Sequence, residues 1–246
     1  MHEPKIASGS DPLPLVLLPG TLCDARVFQP VLDRLPRRPV IIPSLTGAET
    51  APAMAARLIE TLPRRFDLAG FSLGGIVALD FMAQAPERVA RLGLIDTTAR
   101  PDPESNWTVR RNAVSRAAEI GVGNYVSHKL WSLYVSGDAR TDEALRALIR
   151  DMSVAVGLEA FRQQSEIAIH RADSRPRLGA IAAPTLVLCG AEEKLCTPAV
   201  HEEMAALIPH AALHVISGCG HFALIEKPDA VAAAMAAWLA TPTETK

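Results

Sequence analysis

The 246-residue chain has few aromatic residues and almost no net charge. Aromatic residues make up 4% of the sequence, and 25 lysines and arginines nearly balance 27 aspartates and glutamates, for a formal net charge of −2. Nucleic-acid-binding proteins usually carry a basic excess or a basic face, so we expect no nucleic acid partner. The hydrophobic fraction of 49% is too high, at this net charge, for an intrinsically disordered chain.

Membrane segments, targeting signals and metal motifs are also missing. No run of 18 apolar residues is present, so we expect no membrane span. Residues 1–5 are not a basic segment that leads into an apolar one, which predicts that there is no secretory signal. The four cysteines contain no C-x-x-C pair, which is typical of a reduced, cytoplasmic protein. Since neither histidines nor cysteines have zinc-ligand spacing, we expect neither a metal nor a cofactor.

Short apolar runs alternate with helical patterns along most of the chain. The runs predict strands at residues 13–18, 40–42, 66–69, 89–95, 185–189 and 213–216. The helical patterns lie at residues 24–35, 51–62, a segment that ends near 85, 198–207 and 229–239. This alternation predicts an α/β fold with a mostly parallel sheet and helices on both faces.

The alternation stops between residues 97 and 181, where we find no strand pattern. Amphipathic segments at 104–120, 123–135, 141–156 and 158–170 predict an all-helical insertion instead. An insertion after a strand lies over the carboxyl edge of the sheet, where α/β proteins build their sites. We therefore expect a core made of residues 1–96 and 182–246, with residues 97–181 as a helical cap.

A candidate nucleophile lies between a predicted strand and a long predicted helix. Residues 70–74 read G-x-S-x-G, with Ser72 at the centre. A sharp strand–turn–helix connection exposes such a serine above the sheet, and it requires small residues where the backbone doubles back. In the alternative interpretation, Ser72 is only a helix N-cap and the glycines only form a turn.

A serine hydroxyl needs a base within hydrogen-bonding distance, and His221 is the best-placed histidine. It follows the last predicted strand, at the same sheet edge as Ser72, whereas His201 and His210 are interpreted as flanking a surface helix. A third group should orient the imidazole, and the loop after the strand at 185–189 supplies the carboxylates of Glu192 and Glu193.

Several segments, in this order, resemble the α/β-hydrolase family, in its small form with a helical cap. They are Leu17-Leu18-Pro19-Gly20, the six residues from Gly70 to Gly75, the five from Leu92 to Asp96, the seven from Pro184 to Gly190, and the turn from Gly218 to Phe222 before Glu226-Lys227-Pro228. The resemblance covers the chain from Leu15 to Leu239. It implies that Ser72, an acid and His221 form a catalytic triad in that chain order.

The identity of the acid is open, because the family mostly carries aspartate where this chain has Glu193. Glutamate also serves in such triads, so we take Glu193 as the first candidate. Asp96, at the end of the preceding strand, is the second, and Glu192 is the near alternative.

The resemblance also implies an oxyanion hole made of backbone N–H groups. We expect the donors to be Leu73 and Thr21, with Leu22 as the fallback for the second. Pro19 replaces the histidine that the family usually has before Gly20, but this leaves the backbone donors in place. The segment before Leu13 is short for the hairpin that commonly opens this fold, which predicts a smaller sheet.

These features together predict a serine hydrolase that cleaves carboxylic esters, lactones or thioesters of small to medium size. The alternatives are a non-catalytic ligand receptor on the same fold, or a C–C hydrolase or cofactor-free perhydrolase. We expect a small ester-like molecule as the substrate, with a homodimer as one option for the assembly.

Two sets of cap residues have alternative roles. The aromatic residues of the cap either wall the substrate pocket or form the cap's own core, and they are Trp107, Tyr125, Trp131 and Tyr134. The charge-rich segment 162–177 fits a solvated helix end, or else supplies an arginine that binds an acidic substrate.

Overall fold

The computed structural model describes residues 12–243. The expectations of no secretory signal and of a short segment before Leu13 rest on residues 1–12. Residues 1–11 lie outside the described part of the chain, so these two expectations stay predictions. Within them, six strands form one sheet, and they are β1 (Leu15–Leu18), β2 (Val40–Ile41), β3 (Phe66–Phe71), β4 (Val89–Ile95), β5 (Thr185–Gly190) and β6 (Ala211–Ile216). Every pair of neighbouring strands is parallel, in the order β2-β1-β3-β4-β5-β6.

Helices cover both faces of this sheet, which confirms the predicted fold class. Those of the core are α1 (Gln29–Leu32), α2 (Ala51–Thr61), α3 (Leu73–Gln84), α10 (Pro198–Leu207), α11 (Ala223–Glu226) and α12 (Pro228–Leu239). Alternate residues of β1 enter different cores: Leu15 and Leu17 belong to one buried cluster, and Val16 and Leu18 to the other. A strand buried on both faces has to be apolar at every position, as the sequence of β1 is.

Only helices are found between β4 and β5 among the described residues. They are α4 (Glu104–Ile120), α5 (Val122–Tyr125), α6 (Trp131–Tyr134), α7 (Glu143–Val156), α8 (Leu158–Ile169) and α9 (Arg175–Leu178). A π-helical turn at Val126–Leu130 joins α5 to α6, so the segment predicted as one helix at 123–135 is not regular. The exact boundaries of the cap, residues 97 and 181, stay a prediction.

The helix predicted at residues 24–35 is wrong in its extent. The chain instead forms a 3-10 turn at Ala25–Val27, which the Asp24 side chain caps through the Arg26 N–H, and then α1. Pro30 lies in the first turn of α1 and has no N–H to donate, so one regular helix cannot continue through it. None of the helices in residues 12–243 is long and apolar enough to cross a bilayer.

A buried ion cluster links neighbouring parts of the sheet near the start of β3, at the end opposite to the carboxyl edge. Asp67 on β3 is fully buried and binds two arginines, Arg91 of the neighbouring β4 at 2.8 Å and Arg38 from the segment before β2. One carboxylate therefore links three neighbouring parts of the sheet. Breaking such a pair from one side leaves the remaining charges poorly solvated.

We expect the substitution Asp67→Asn to lower the free energy of unfolding by about 3 kcal/mol, because Arg38 and Arg91 keep their charge and lose its partner. Urea unfolding followed by circular dichroism measures this. The matched control is Glu119→Gln, which removes the partner of Arg116 in an exposed pair on α4 and should change stability by less than about 0.5 kcal/mol. Equal effects of the two substitutions would contradict the structural role of Asp67.

Candidate active site

Ser72 stands on a strained turn between β3 and α3. Its backbone has φ +51° and ψ −114°, a conformation that residues other than glycine rarely adopt. The turn requires glycine on either side of Ser72, because backbone approaches backbone too closely there for a side chain. An ideal Cβ on Gly70 would lie 2.3 Å from the Gly74 carbonyl oxygen, and one on Gly74 would lie 2.0 Å from the Leu18 carbonyl oxygen. The strain presents the serine at the carboxyl edge of the sheet.

The structure brings Ser72, His221 and Glu193 into one chain of hydrogen bonds. The Ser72 Oγ lies 3.0 Å from His221 Nε2, and His221 Nδ1 bonds the Glu193 Oε2. These residues follow β3, β6 and β5 respectively, so the topology alone delivers them to one edge. The arrangement fits a hydroxyl that gives its proton to an imidazole whose other nitrogen is held by a carboxylate.

Aromatic rings and the cap backbone surround His221. Tyr134 of the cap stacks on the imidazole, with ring centroids 5.9 Å apart, and Phe71 lies at 5.2 Å. The backbone N–H of His221 donates to the backbone carbonyl of Tyr134 at 2.9 Å. Glu226 accepts hydrogen bonds from the Gly220 N–H at 3.0 Å and from the Ser136 N–H at 2.9 Å, so it ties the histidine loop to the cap.

The Glu193 carboxyl is buried but keeps its charge. Burial alone would raise its pKa, but the His221 charge and hydrogen bond, with N–H donors from Leu195 at 2.6 Å and Cys196 at 3.2 Å, outweigh this and hold the pKa below its ordinary value. Glu192 lies elsewhere: it is exposed, and its Oε2 accepts the Gly137 N–H at 2.8 Å. Of the two adjacent glutamates, only Glu193 contacts His221.

Asp96, the second candidate acid, is fully buried at the end of β4. Its backbone has φ +45°, and its Oδ1 accepts the Gly190 N–H at 3.0 Å. Burial, and then the nearby Glu193 charge, raise the pKa of the Asp96 carboxyl well above its ordinary value. Two neighbouring buried carboxyls cannot both ionise freely, so the negative charge belongs to Glu193.

The two expected oxyanion donors, Leu73 and Thr21, both belong to residues that line the cavity beside Ser72. Leu73 begins α3, where its N–H has no acceptor within the helix, and Thr21 lines the same cavity as Ser72. The fallback donor, Leu22, is already engaged, because its N–H donates to Gln164 Oε1 at 2.9 Å. Gln164 comes from α8 and fixes the loop that carries Thr21, a role that the sequence does not signal.

A second hydrogen-bonded chain supports the turn at Ser72. The Thr97 hydroxyl donates to the Ser72 carbonyl at 2.7 Å, and the Thr97 N–H donates to His201 Nε2 at 3.0 Å. The interpretation of His201 as flanking a surface helix is wrong: it lies within α10 and is fully buried, and burial is the main reason that its pKa is lowered. A neutral His201 can accept this N–H, and nothing in its local sequence indicates the role.

A cavity of about 560 Å³ adjoins Ser72 and His221, between the sheet edge and the cap. Tyr125 and Tyr134 line it, while Trp131 donates its indole N–H to the Arg140 carbonyl at 3.0 Å in the cap. The cap aromatics therefore divide between the two roles considered.

Within residues 12–243, no three His, Cys, Asp or Glu side chains gather as a metal-ligating group.

Comparisons with known proteins agree with this geometry. The family model described as alpha/beta hydrolase fold matches residues 43–228. A pimeloyl-[acyl-carrier protein] methyl ester esterase of Xanthomonas oryzae pv. oryzae is 30% identical over 98% of this chain and 99% of its own length.

Solved structures are similar as well. A thermophilic esterase from Thermogutta terrifontis is 29% identical, with a TM-score of 0.84 over 94% of this chain and 90% of its own. An enol-lactonase from Burkholderia xenovorans LB400, at 24% identity and a TM-score of 0.83 over 96% of this chain and 94% of its own, shows the likeness of fold.

The raised pKa of Asp96 predicts how the stability depends on pH. An acid that keeps its proton in the folded state and loses it in the unfolded state makes the free energy of unfolding fall as pH rises above its unfolded pKa. An asparagine in its place would mimic the protonated acid and tolerate the positive φ. We therefore expect Asp96→Asn to gain stability relative to the native chain between pH 5 and pH 8, as measured by urea unfolding. A difference that is independent of pH would show that Asp96 is ionised.

Proposed function

The chain belongs to the α/β-hydrolase fold family as a carboxylesterase-type hydrolase, and we propose that it cleaves small to medium esters through an acyl-enzyme on Ser72. The observation that carries the proposal is the unbroken line of hydrogen bonds from Ser72 Oγ through His221 to Glu193. A chain used only as a ligand receptor has no need for this alignment. The strained turn under Ser72 supports the same role, since strain of this kind is typical of reactive positions.

In the first half of the reaction, Ser72 Oγ attacks the ester carbonyl carbon while His221 Nε2 takes the hydroxyl proton. Glu193 stabilises the imidazolium and fixes its tautomer, with the proton on Nδ1. The tetrahedral intermediate collapses, the C–O bond to the alcohol breaks, and His221 gives its proton to the departing oxygen. The acyl group is then bonded to Ser72.

In the second half, His221 takes a proton from a water that attacks the acyl carbon. The new tetrahedral intermediate collapses, Ser72 Oγ recovers the proton, and the acid leaves. In both halves the negative charge develops on the former carbonyl oxygen. We assign its stabilisation to the N–H groups of Leu73 and Thr21, which are preorganised and do not have to reorient during the reaction.

Helices between residues 97 and 181 act as a cap that sets the size of the substrate. Tyr125, Tyr134 and Phe161 supply apolar walls to the cavity, whose volume of about 560 Å³ suits a molecule of modest size. Relatives named as a methyl ester esterase and a thermophilic esterase support an ester as the substrate. A lactone or thioester offers the same acyl carbon to Ser72.

The first experiment is labelling with a fluorophosphonate, read by intact mass, together with hydrolysis of a p-nitrophenyl ester series. We expect one adduct on the native chain, none on Ser72→Ala, and ester turnover that falls by at least about 10³-fold in that variant. The matched control is Ser165→Ala, another serine that lines the cavity. An adduct that persists in Ser72→Ala, or a native chain with neither adduct nor turnover, would contradict the proposal.

The identity of the acid is tested by two isosteric substitutions. We expect Glu193→Gln to lower kcat by roughly 10³-fold or more, because the amide cannot stabilise the imidazolium and favours the wrong tautomer. Asp96→Asn should lower kcat by less than about tenfold, since it replaces a carboxyl that already carries its proton. Steady-state kinetics with one p-nitrophenyl ester measures both. The opposite ranking would assign the role to Asp96.

A further inference from the structure

The cavity beside Ser72 and His221 contains more positive than negative charge. Among the described residues that line it, the charged side chains besides His221 are Arg100, Asp102, Arg110, Arg171 and Lys194. Glu203 binds Arg100 at 2.7 Å from outside this set and neutralises it. Asp102 is left to balance two arginines, and Lys194 has no carboxylate partner in the described part of the chain. This set of side chains, with Glu203, therefore carries two more positive than negative charges.

Asp102 is buried between two guanidinium groups. Arg110 donates Nε and Nη2 to its two carboxylate oxygens at 2.7 and 3.1 Å, and Arg171 Nη2 lies 2.9 Å from Oδ1. Burial favours the protonated acid, but the hydrogen bonds and charges of these arginines prevail and hold the pKa of Asp102 below its ordinary value. Asp102 is thus ionised at neutral pH, and the three residues together carry one net positive charge.

The two arginines differ in what they have left to donate. Arg171 is nearly buried, and besides Asp102 it donates to the carbonyl oxygens of Arg100 and Ala168, both at 2.9 Å, which makes it a fixed support. Arg110 is 36% exposed, and its Nη1 has no acceptor among residues 12–243. Lys194 donates to one neutral acceptor, the Ser132 carbonyl at 2.8 Å, and has further hydrogens to give.

We propose that the site selects esters whose acyl part ends in a carboxylate, and that Arg110, assisted by Lys194, binds that carboxylate while Ser72 attacks the ester carbonyl. This inference rests on the proposed function and names the substrate class for it. The excess of positive charge favours an anionic group in the cavity, and the donors that Arg110 and Lys194 have free can form charge-assisted hydrogen bonds with its carboxylate. A cavity of about 560 Å³ has room for a short half-ester of a dicarboxylic acid.

The test compares two esters of equal length that differ in the end group, monomethyl adipate and methyl hexanoate. The native chain should hydrolyse monomethyl adipate with a kcat/KM at least about tenfold higher, which corresponds to one charge-assisted hydrogen bond. Raising NaCl from 20 to 300 mM should raise the KM for monomethyl adipate alone, because salt screens the attraction. A series of monomethyl esters from C4 to C8 then measures the reach from Ser72 to the bound carboxylate.

Variants identify the residues that bind the carboxylate. In Arg110→Gln the preference for monomethyl adipate should fall about tenfold, and Lys194→Gln should lower it by a smaller factor. Arg110→Lys should retain part of it through the remaining charge. The matched control is Arg111→Gln, which removes the same charge from the adjacent position of α4, where Arg111 binds Glu166 and does not line the cavity. The preference should remain within twofold of native in this control.

The outcomes separate this inference from the function on which it rests. If the native chain is labelled at Ser72 and hydrolyses methyl hexanoate as well as monomethyl adipate, the carboxylate preference is wrong and the esterase stands. A preference that persists in both Arg110→Gln and Lys194→Gln, or falls equally in Arg111→Gln, also overturns the assignment. If neither ester is hydrolysed and Ser72 is not labelled, both proposals fail.

Discussion

The contact between β1 and α3 leaves no room for a side chain, since an ideal Cβ on Gly74 would stand 2.0 Å from the Leu18 carbonyl oxygen. This contact lets the chain reverse sharply after β3 and holds Ser72 at a φ of +51°. Backbone strain of this kind costs on the order of 1–3 kcal/mol, and it persists only where the surroundings enforce it. Here they do so through the packed strands and through the Thr97 hydroxyl, which binds the Ser72 carbonyl. The alignment of Ser72 with His221 depends on this enforced turn.

Much of the fold and part of the site could be predicted from the sequence. The alternating apolar runs predict a parallel sheet, and the carboxyl ends of parallel strands share one edge. Ser72, Glu193 and His221 each follow a strand, so a correct strand assignment is enough to bring them to that edge. Strand β4 and helices α4 and α10 have the predicted bounds, because proline, glycine or polar residues mark their ends.

The rest depends on contacts between residues far apart in the chain. The sequence leaves Asp96 and Glu193 as competing acids, and only the fold shows that Asp96 turns toward the Gly190 N–H while Glu193 contacts His221. The same holds for His201, whose Nε2 accepts from Thr97 across 104 residues. No periodicity or motif encodes such a partner, because a side chain's direction at a strand end is set by the packing of the whole sheet edge.

The hydrogen bond from the His221 backbone N–H to the Tyr134 carbonyl ties the position of His221 to the helical segment between β4 and β5. Glu226 accepts hydrogen bonds from both the Gly220 N–H and the Ser136 N–H, so the residues at the end of α6 help to position the loop that carries His221. A displacement of the end of α6 would strain these hydrogen bonds and disturb the distance between His221 and Ser72. A chimera that exchanges the helical segment between β4 and β5 therefore has to retain the backbone path around Tyr134 to keep His221 in position.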